Sequence, residues 1–253
     1  AWRSTLEAWA IPQRLIDAVG VDPGRWQHEF WERLRRNDVV ADSSTLATVE
    51  ELSRGGSVLD VGAGTGRLGI ALAGRGHRVT LVLPCYRGTD PTARSLARRL
   101  SPKQVTCGTQ SFPVDVFEGR LGTGVDVVLL RVPALFERDG IYTSDADEAV
   151  RFAVLCRGAL EVLADRGAEV DIVHAHDWPT ALVPYYLARG MRENPVLARA
   201  RSLLTLHNIA HHPQVARESM AELGIHEADF HSAGAEFWGK VNFLKSGLAY
   251  SDI

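Results

Sequence analysis

A chain of 253 residues with 45% hydrophobic side chains carries enough apolar material for one large α/β domain or two small ones. Its formal net charge of -3 gives no electrostatic case for nucleic acid or an anionic membrane as the main partner. No uninterrupted apolar run approaches the roughly 18 residues of a membrane span, and the first residues lack the basic-then-apolar form of a signal peptide, so the expected location is the cytoplasm.

Residues 1 to about 52 are helical in pattern. Trp2, Leu6, Trp9, Ile11, Leu15 and Ile16 give one aromatic-rich face, and Trp26, Phe30, Trp31 and Leu34 repeat at helical spacing. Asp42, Ser43 and Ser44 offer caps for a third helix running to Leu52. A tryptophan stripe at this spacing reads as packing. The stretch from Ser57 to Pro84 then reads as strand, glycine turn, helix and second strand: Val58 to Val61 is a short apolar run, Gly62, Gly64 and Gly66 make a tight turn, and Leu68, Ile70, Ala71 and Leu72 supply a helical face before Gly76. Further β-rich runs at 113–118, 125–131, 170–174 and 202–206 alternate with helical stretches at 145–164, 179–188 and 241–250. The expected fold class is α/β, a doubly wound, mostly parallel Rossmann-like sheet with helices on both faces and an N-terminal helical leader. The expected division is a leader over 1–52 and an α/β domain over 53–253.

Two places along that pattern suit a ligand. Glycines let the backbone of a strand-to-helix turn approach a bound group, and the free N–H groups of the helix that follows favour an anion. A dinucleotide or adenosyl site usually adds an acid about 20 residues on, at the end of the second strand. That place is Leu83, and the next acid, Asp90, lies beyond Pro84 and Gly88 in a loop, so a turn built for packing alone is an equal reading. The second place is DIVHAHDW, where His174, His176 and Asp177 stand at a strand end, with His207 and Asn208 similarly placed after LLTLHN. Along an extended run His174 and His176 point to one side. An H-x-H pair there can bond sugar hydroxyls or, with further ligands from His207, His211 and His212, a metal; the sugar reading is preferred and no metal is expected. Cys85, Cys107 and Cys156 are odd in number and show no CxxC spacing, which suggests reduced thiols rather than a disulfide framework or zinc knuckle.

The leader together with SVLDVGAGTG resembles class I S-adenosylmethionine-dependent methyltransferases, with Asp60, Gly62, Gly64 and Gly66 matching their V-L-D-x-G-x-G-x-G motif over residues 1 to about 74. From about residue 74 the sequence resembles the N-terminal catalytic domain of bacterial glycogen synthase and plant starch synthase, glycosyltransferases of the GT-B type. GRGHRVTLVLPCYRG, FPVDVFEGRL, VDVVLLRVPALFERDGIYT, DADEAVRFAVLCRGALEVL, DIVHAHDWPTALVPYYL, SLLTLHNIA and FWGKVNFLKSGLAYSD follow one another in the family's order. The whole chain thus resembles a chimera of two Rossmann-like families, cut at Ala1 and Ile253.

The synthase resemblance implies retaining transfer of glucose from ADP-glucose or UDP-glucose to an α-1,4-glucan end, in a cleft between two domains and with no cofactor required. It implies that His176 touches the transferred glucose and that Asp147 also serves the cleft. His174, Asp177, Tyr142, His207, Asn208, Asn242 and Lys245 would support substrate binding. The expected partners are a nucleotide sugar, an α-glucan and a missing C-terminal donor domain, with no nucleic acid and no membrane; the fragment alone is expected to be inactive. In the alternative reading, a methyltransferase, Asp60, Gly62, Gly64 and Gly66 would hold S-adenosylmethionine. The chain departs from the synthase pattern where VGAGTGRLG replaces a K-T-G-G-L loop, leaving Arg67 as the turn's basic residue, and where His211-His212-Pro213 replaces Y-Q-G.

Overall fold

The computed structural model describes residues 43–253 apart from 54, 65, 122–123 and 144. The helices expected over residues 1–40 and the cap expected at Asp42 lie outside the described residues. Residues 41–253 make up one compact unit. Its first element, helix α1 (Ser43–Ser53), buries Leu46 and Val49 among Val58, Leu72 and Ile172. Expected as the tail of the leader, this helix is instead part of the α/β core, because its two buried side chains find their apolar partners on the sheet and on the next helix.

Strand β1 (Ser57–Val61) is buried at all five positions, as a strand flanked on both edges and both faces must be. Helix α2 (Arg67–Gly74) follows the glycine turn and leads to β2 (Arg78–Pro84). Short β3 (Ala97–Arg98) and β4 (Lys103–Cys107) precede the long β5 (Gln110–Leu121) and β6 (Val125–Arg131). A turn of helix, α3 (Pro133–Phe136), and the 19-residue α4 (Glu148–Arg166) come next, α4 stopping at Gly167 in the left-handed region. Then follow β7 (Ile172–His176), α5 (Asp177–Thr180), α6 (Leu182–Ala188) and β8 (Arg201–Thr205). A small antiparallel sheet of β9 (Gln214–Val215), β10 (Glu236–Phe237) and β11 (Lys240–Asn242) leads into α7 (Phe243–Tyr250).

The main sheet runs β3-β5-β6-β2-β1-β7-β8, with β4 also on β5. β6, β2, β1, β7 and β8 are parallel, whereas β5 meets β6, and β3 and β4 meet β5, antiparallel. The fold is therefore α/β with a mostly parallel sheet, closed on one side by an antiparallel edge. Strand β1 lies at the crossover point, pairing with β2 on one side and with β7 on the other. Its pairing with β7 puts Asp60 opposite His174, residues more than a hundred positions apart in sequence.

Candidate active site

The glycine turn is shaped by two close contacts. A Cβ on Gly62 would stand 2.7 Å from Thr180 Cγ2, and one on Gly66 would stand 2.8 Å from Leu81 Cδ1. Gly62 also sits at φ 73°, where other residues are strained. Gly64 differs: its Cβ would meet nothing within 4 Å, so its backbone borders open space. Two of the three glycines thus serve packing, and the third leaves room beside the start of α2. Leu83 is partly buried against the core. Asp90 folds back on its own loop, where its carboxylate accepts from the Thr92 and Ala93 backbone N–H groups at 2.9 and 3.2 Å. Neither residue supplies an acid at the end of β2.

Asp60 lies on β1, just before that turn. Fully buried, it faces β7, with Oδ1 2.6 Å from His176 Nε2 and 3.6 Å from His174 Nδ1. Burial pushes its carboxyl up, but the facing His176, with His174 and His207 behind it, outweighs burial and holds the group below the ordinary carboxylate range. The two β7 imidazoles do share a side of the strand, their ring centres 4.0 Å apart. His174 is completely buried and bonded through Nε2 to Thr205 Oγ1 at 2.7 Å; burial, reinforced by His176, drives its pKa down to about 3, so the ring is neutral at pH 7. His176 is partly open to solvent. Its Nδ1 lies 3.0 Å from His207 Nε2, and the two rings stack at 5.3 Å.

Asp177, first residue of α5, lies at φ 52°, a conformation Asp tolerates better than most side chains. Its carboxylate accepts from the backbone N–H groups of His207 and Asn208 at 2.7 and 3.1 Å, tying the loop after β8 to the end of β7. Thr180 completes the corner: its Oγ1 accepts from the His176 N–H at 2.5 Å and donates to the His176 carbonyl at 2.8 Å. Asp60, His174, His176, Asp177, His207 and Asn208 therefore form one cluster at the carboxyl ends of β1, β7 and β8. Thr180 and Thr205 belong to the same network and escaped the sequence reading, since a threonine at a strand or helix end carries no signal of its own.

The remaining expected residues are engaged elsewhere. Asp147 stands at the N-cap position of α4 without a side-chain capping bond, its carboxylate instead in an ion pair with Arg138, whose hydrogen bonds hold the Asp147 carboxyl low. Tyr142 packs with tilted rings, 5.7 Å from Trp178 and 5.9 Å from Phe152 between centres. Asn242 is buried and caps α7 by accepting from the Lys245 N–H at 2.8 Å, while its amide nitrogen reaches His212. Lys245 donates its ammonium to the Ser232 and Glu236 carbonyls. These contacts fix local structure, and in these positions the side chains of Asn242 and Lys245 are committed to it.

A parallel sheet with polar side chains gathered at its carboxyl edge is shared by many enzymes; the decision comes from comparison. The family model described as the starch synthase catalytic domain matches residues 58–253. The chain belongs to that family. The match begins at Val58, so β1 and the glycine turn, which the sequence reading set with a methyltransferase up to about residue 74, lie inside it. Among curated relatives, the glycogen synthase of Myxococcus xanthus (strain DK1622) is 37% identical over 217 residues, covering 81% of this chain and 43% of the relative. Glycogen synthase 1 of Geobacter sulfurreducens is 34% identical over 225 residues, covering 87% and 44%. The chain thus spans less than half the length of these relatives. A solved structure, the catalytic domain of starch synthase IV from Arabidopsis thaliana bound to ADP and acarbose, superposes with a TM-score of 0.65 at 23% identity over 78% of this chain and 43% of that one, a likeness of fold. Among the described residues, no helix is long and apolar enough to cross a membrane.

Proposed function

We propose that this chain forms the acceptor-side domain of a glycogen or starch synthase-type glycosyltransferase, which moves glucose from ADP-glucose or UDP-glucose to the end of an α-1,4-glucan with no cofactor. The observation that carries the reading is the convergence of His176, Asp177, His207 and Asn208 at the carboxyl ends of two neighbouring parallel strands, in a chain of this family. His176 is the group that meets the transferred glucose. It does so by exchanging its bond to His207 for one to a sugar hydroxyl, and His207 then becomes a second contact. Asp177 acts through the loop it holds. In this reading Asp147 and Tyr142 serve the site indirectly, through the Arg138 and Trp178 contacts they already make, and His174, Asn242 and Lys245 act through the local structure they hold. The reading places the enzyme in the cytoplasm.

Glucosyl transfer with a diphosphate leaving group needs positive charge where negative charge develops. The glycine turn offers open space at Gly64 but no lysine, so in this reading the diphosphate is met chiefly by a second domain, in the part of the relatives that this chain does not match. The chain on its own then binds sugar weakly and transfers nothing. Calorimetry with maltooligosaccharide, ADP-glucose, UDP-glucose and S-adenosylmethionine tests the proposal: saturable binding of glucan or nucleotide sugar, lost in His176→Ala, is expected. Tight binding of S-adenosylmethionine, abolished by Gly64→Asp, would replace it with methyl transfer, a reading that Leu83 at the end of β2 disfavours.

A further inference from the structure

The cluster at Asp60 contains more hydrogen-bonding capacity than its neighbours satisfy. Asp60 Oδ2 and His174 Nδ1 are both buried without a hydrogen-bond partner, although each residue is fully shielded from solvent. A buried carboxylate oxygen and a buried ring nitrogen left unpaired are each costly, and here they belong to side chains that approach each other to 3.6 Å, Asp60 Oδ1 to His174 Nδ1. One donor atom from each of Asp60, His174 and His176 lies within 4.8 Å of the others.

The outer contacts sharpen this. His174 uses Nε2 against Thr205 Oγ1 at 2.7 Å, and His176 uses Nδ1 against His207 Nε2 at 3.0 Å. If both rings carry their proton on these outward nitrogens, Nδ1 of His174 and Nε2 of His176 present lone pairs to the Asp60 carboxylate, and three acceptors converge with nothing between them. A cation resolves that conflict. Histidine ligands of metals ordinarily donate their second ring N–H to such an outer partner, which fixes tautomer and ring angle. The other resolution, a proton held between Asp60 and His176, satisfies that contact and leaves Asp60 Oδ2 and His174 Nδ1 still orphaned.

We propose that Asp60, His174 and His176 form a binding site for a late first-row divalent transition metal, with zinc the best fit. Two imidazoles and one carboxylate are ligands of borderline softness suited to zinc, and three protein ligands leave a fourth position for water or a sugar oxygen. Metal–ligand bonds of about 2.0–2.2 Å at tetrahedral angles separate donor atoms by about 3.3–3.6 Å. The His174–Asp60 contact at 3.6 Å falls within that range, and the His176–Asp60 contact at 2.6 Å opens by a small ring movement as the ion enters. His176 is the solvent-facing member and therefore the entry side, with His207 outside it as the orienting partner. The ion takes the Nε2 lone pair of His176 and so modulates whatever sugar contact that ring makes. The site itself stands on geometry alone and does not depend on the glucosyl reading.

The test uses the chain after chelator treatment. Titration with zinc against a chromophoric chelator is expected to give one tight equivalent, and cobalt in its place is expected to give the visible absorption of a four-coordinate nitrogen and oxygen site. Asp60→Asn and His174→Gln are expected to weaken binding about 100-fold or more, and His207→Ala, which removes only the outer partner, about 10-fold. A His211→Ala/His212→Ala double variant is expected to bind as the parent does. Absence of a stoichiometric zinc site in the parent protein overturns the proposal outright, whether or not any variant folds. Binding that survives both Asp60→Asn and His174→Gln, or that disappears in the His211/His212 double variant, overturns it equally by placing the metal elsewhere. Because the readout is metal binding, failure here leaves the glucosyl reading intact, and failure of sugar binding leaves the metal site intact.

Discussion

The Asp177 carboxylate accepts a hydrogen bond of 2.7 Å from the backbone N–H of His207, and through it the end of β7 holds the loop that follows β8. Asp177 reaches this position at a positive φ, so both its backbone tolerance and its acceptor oxygen are used. Asp177→Ala is expected to cost about 2 kcal/mol or more, combining two lost charge-assisted hydrogen bonds with left-handed strain. Asp177→Asn, which keeps an acceptor oxygen and tolerates the conformation, should cost less than half of that. Urea unfolding measures the first difference, and loss of hydrogen-exchange protection at the amides of His207 and Asn208 locates it.

Acid should destabilise the metal-free protein before the carboxylates titrate. Burial holds the His174 pKa at about 3, against an ordinary value of 6.5 in the unfolded chain. Below pH 6.5 the unfolded state therefore takes up a proton that the folded state refuses. The His174 contribution to stability is intact above pH 6.5 and declines as pH falls from 6.5 toward 3, with a slope approaching about 1.4 kcal/mol per pH unit. Asp60, held below its ordinary range of 3.8, adds a further loss at lower pH, when its stabilising ionised form is protonated. Unfolding free energies between pH 7 and 5 in the presence of chelator check the first step. His174→Gln should flatten that dependence by close to one proton.

The three glycines of the turn should respond unequally to alanine. At Gly62 the added methyl carbon meets Thr180 at 2.7 Å, and Thr180 is pinned by two hydrogen bonds to His176, so it has little freedom to retreat. We expect Gly62→Ala to cost about 2–3 kcal/mol through overpacking and backbone strain together. Gly64→Ala, at φ 55° with open space ahead, should cost about 1 kcal/mol from the backbone alone. Thermal unfolding of the two variants side by side distinguishes them, and equal losses would contradict the packing role assigned to Gly62.

Cys85, Cys107 and Cys156 are all free and buried. Burial raises the pKa of each thiol, most strongly for Cys156, which leaves little reactive thiolate at neutral pH. A thiol reagent should therefore label the native protein slowly and all three cysteines promptly in denaturant. Rapid labelling of Cys156 under native conditions would show that α4 opens locally, since its thiol is bonded to the Pro179 carbonyl inside the fold.

How far the sequence reaches can be read from individual residues. The alternation of apolar runs and helical stretches gave the α/β class and located β7, β8 and α4 to within a few residues, because hydrophobic periodicity is a local property. The H-x-H spacing placed His174 and His176 on one side of a strand for the same reason, and both do face Asp60. The antiparallel edge formed by β3, β4 and β5 was not legible, since strand direction depends on which neighbour a strand meets.

The meaning of Asp60 was beyond local reading altogether. Beside three glycines it reads as part of a nucleotide turn; in the assembled sheet its side chain bonds His176 of β7. What made it so is the pairing of β1 with β7, a contact between distant segments that only the assembled sheet creates. The same holds for Thr180 under Gly62 and Thr205 beside His174. The sequence by itself determined the main strands and helices of the parallel part of the sheet, the family resemblance and the histidines of the strand end. The tertiary structure decided which carboxylate faces them, because a buried charge is defined by its neighbours across the sheet and not by its neighbours along the chain.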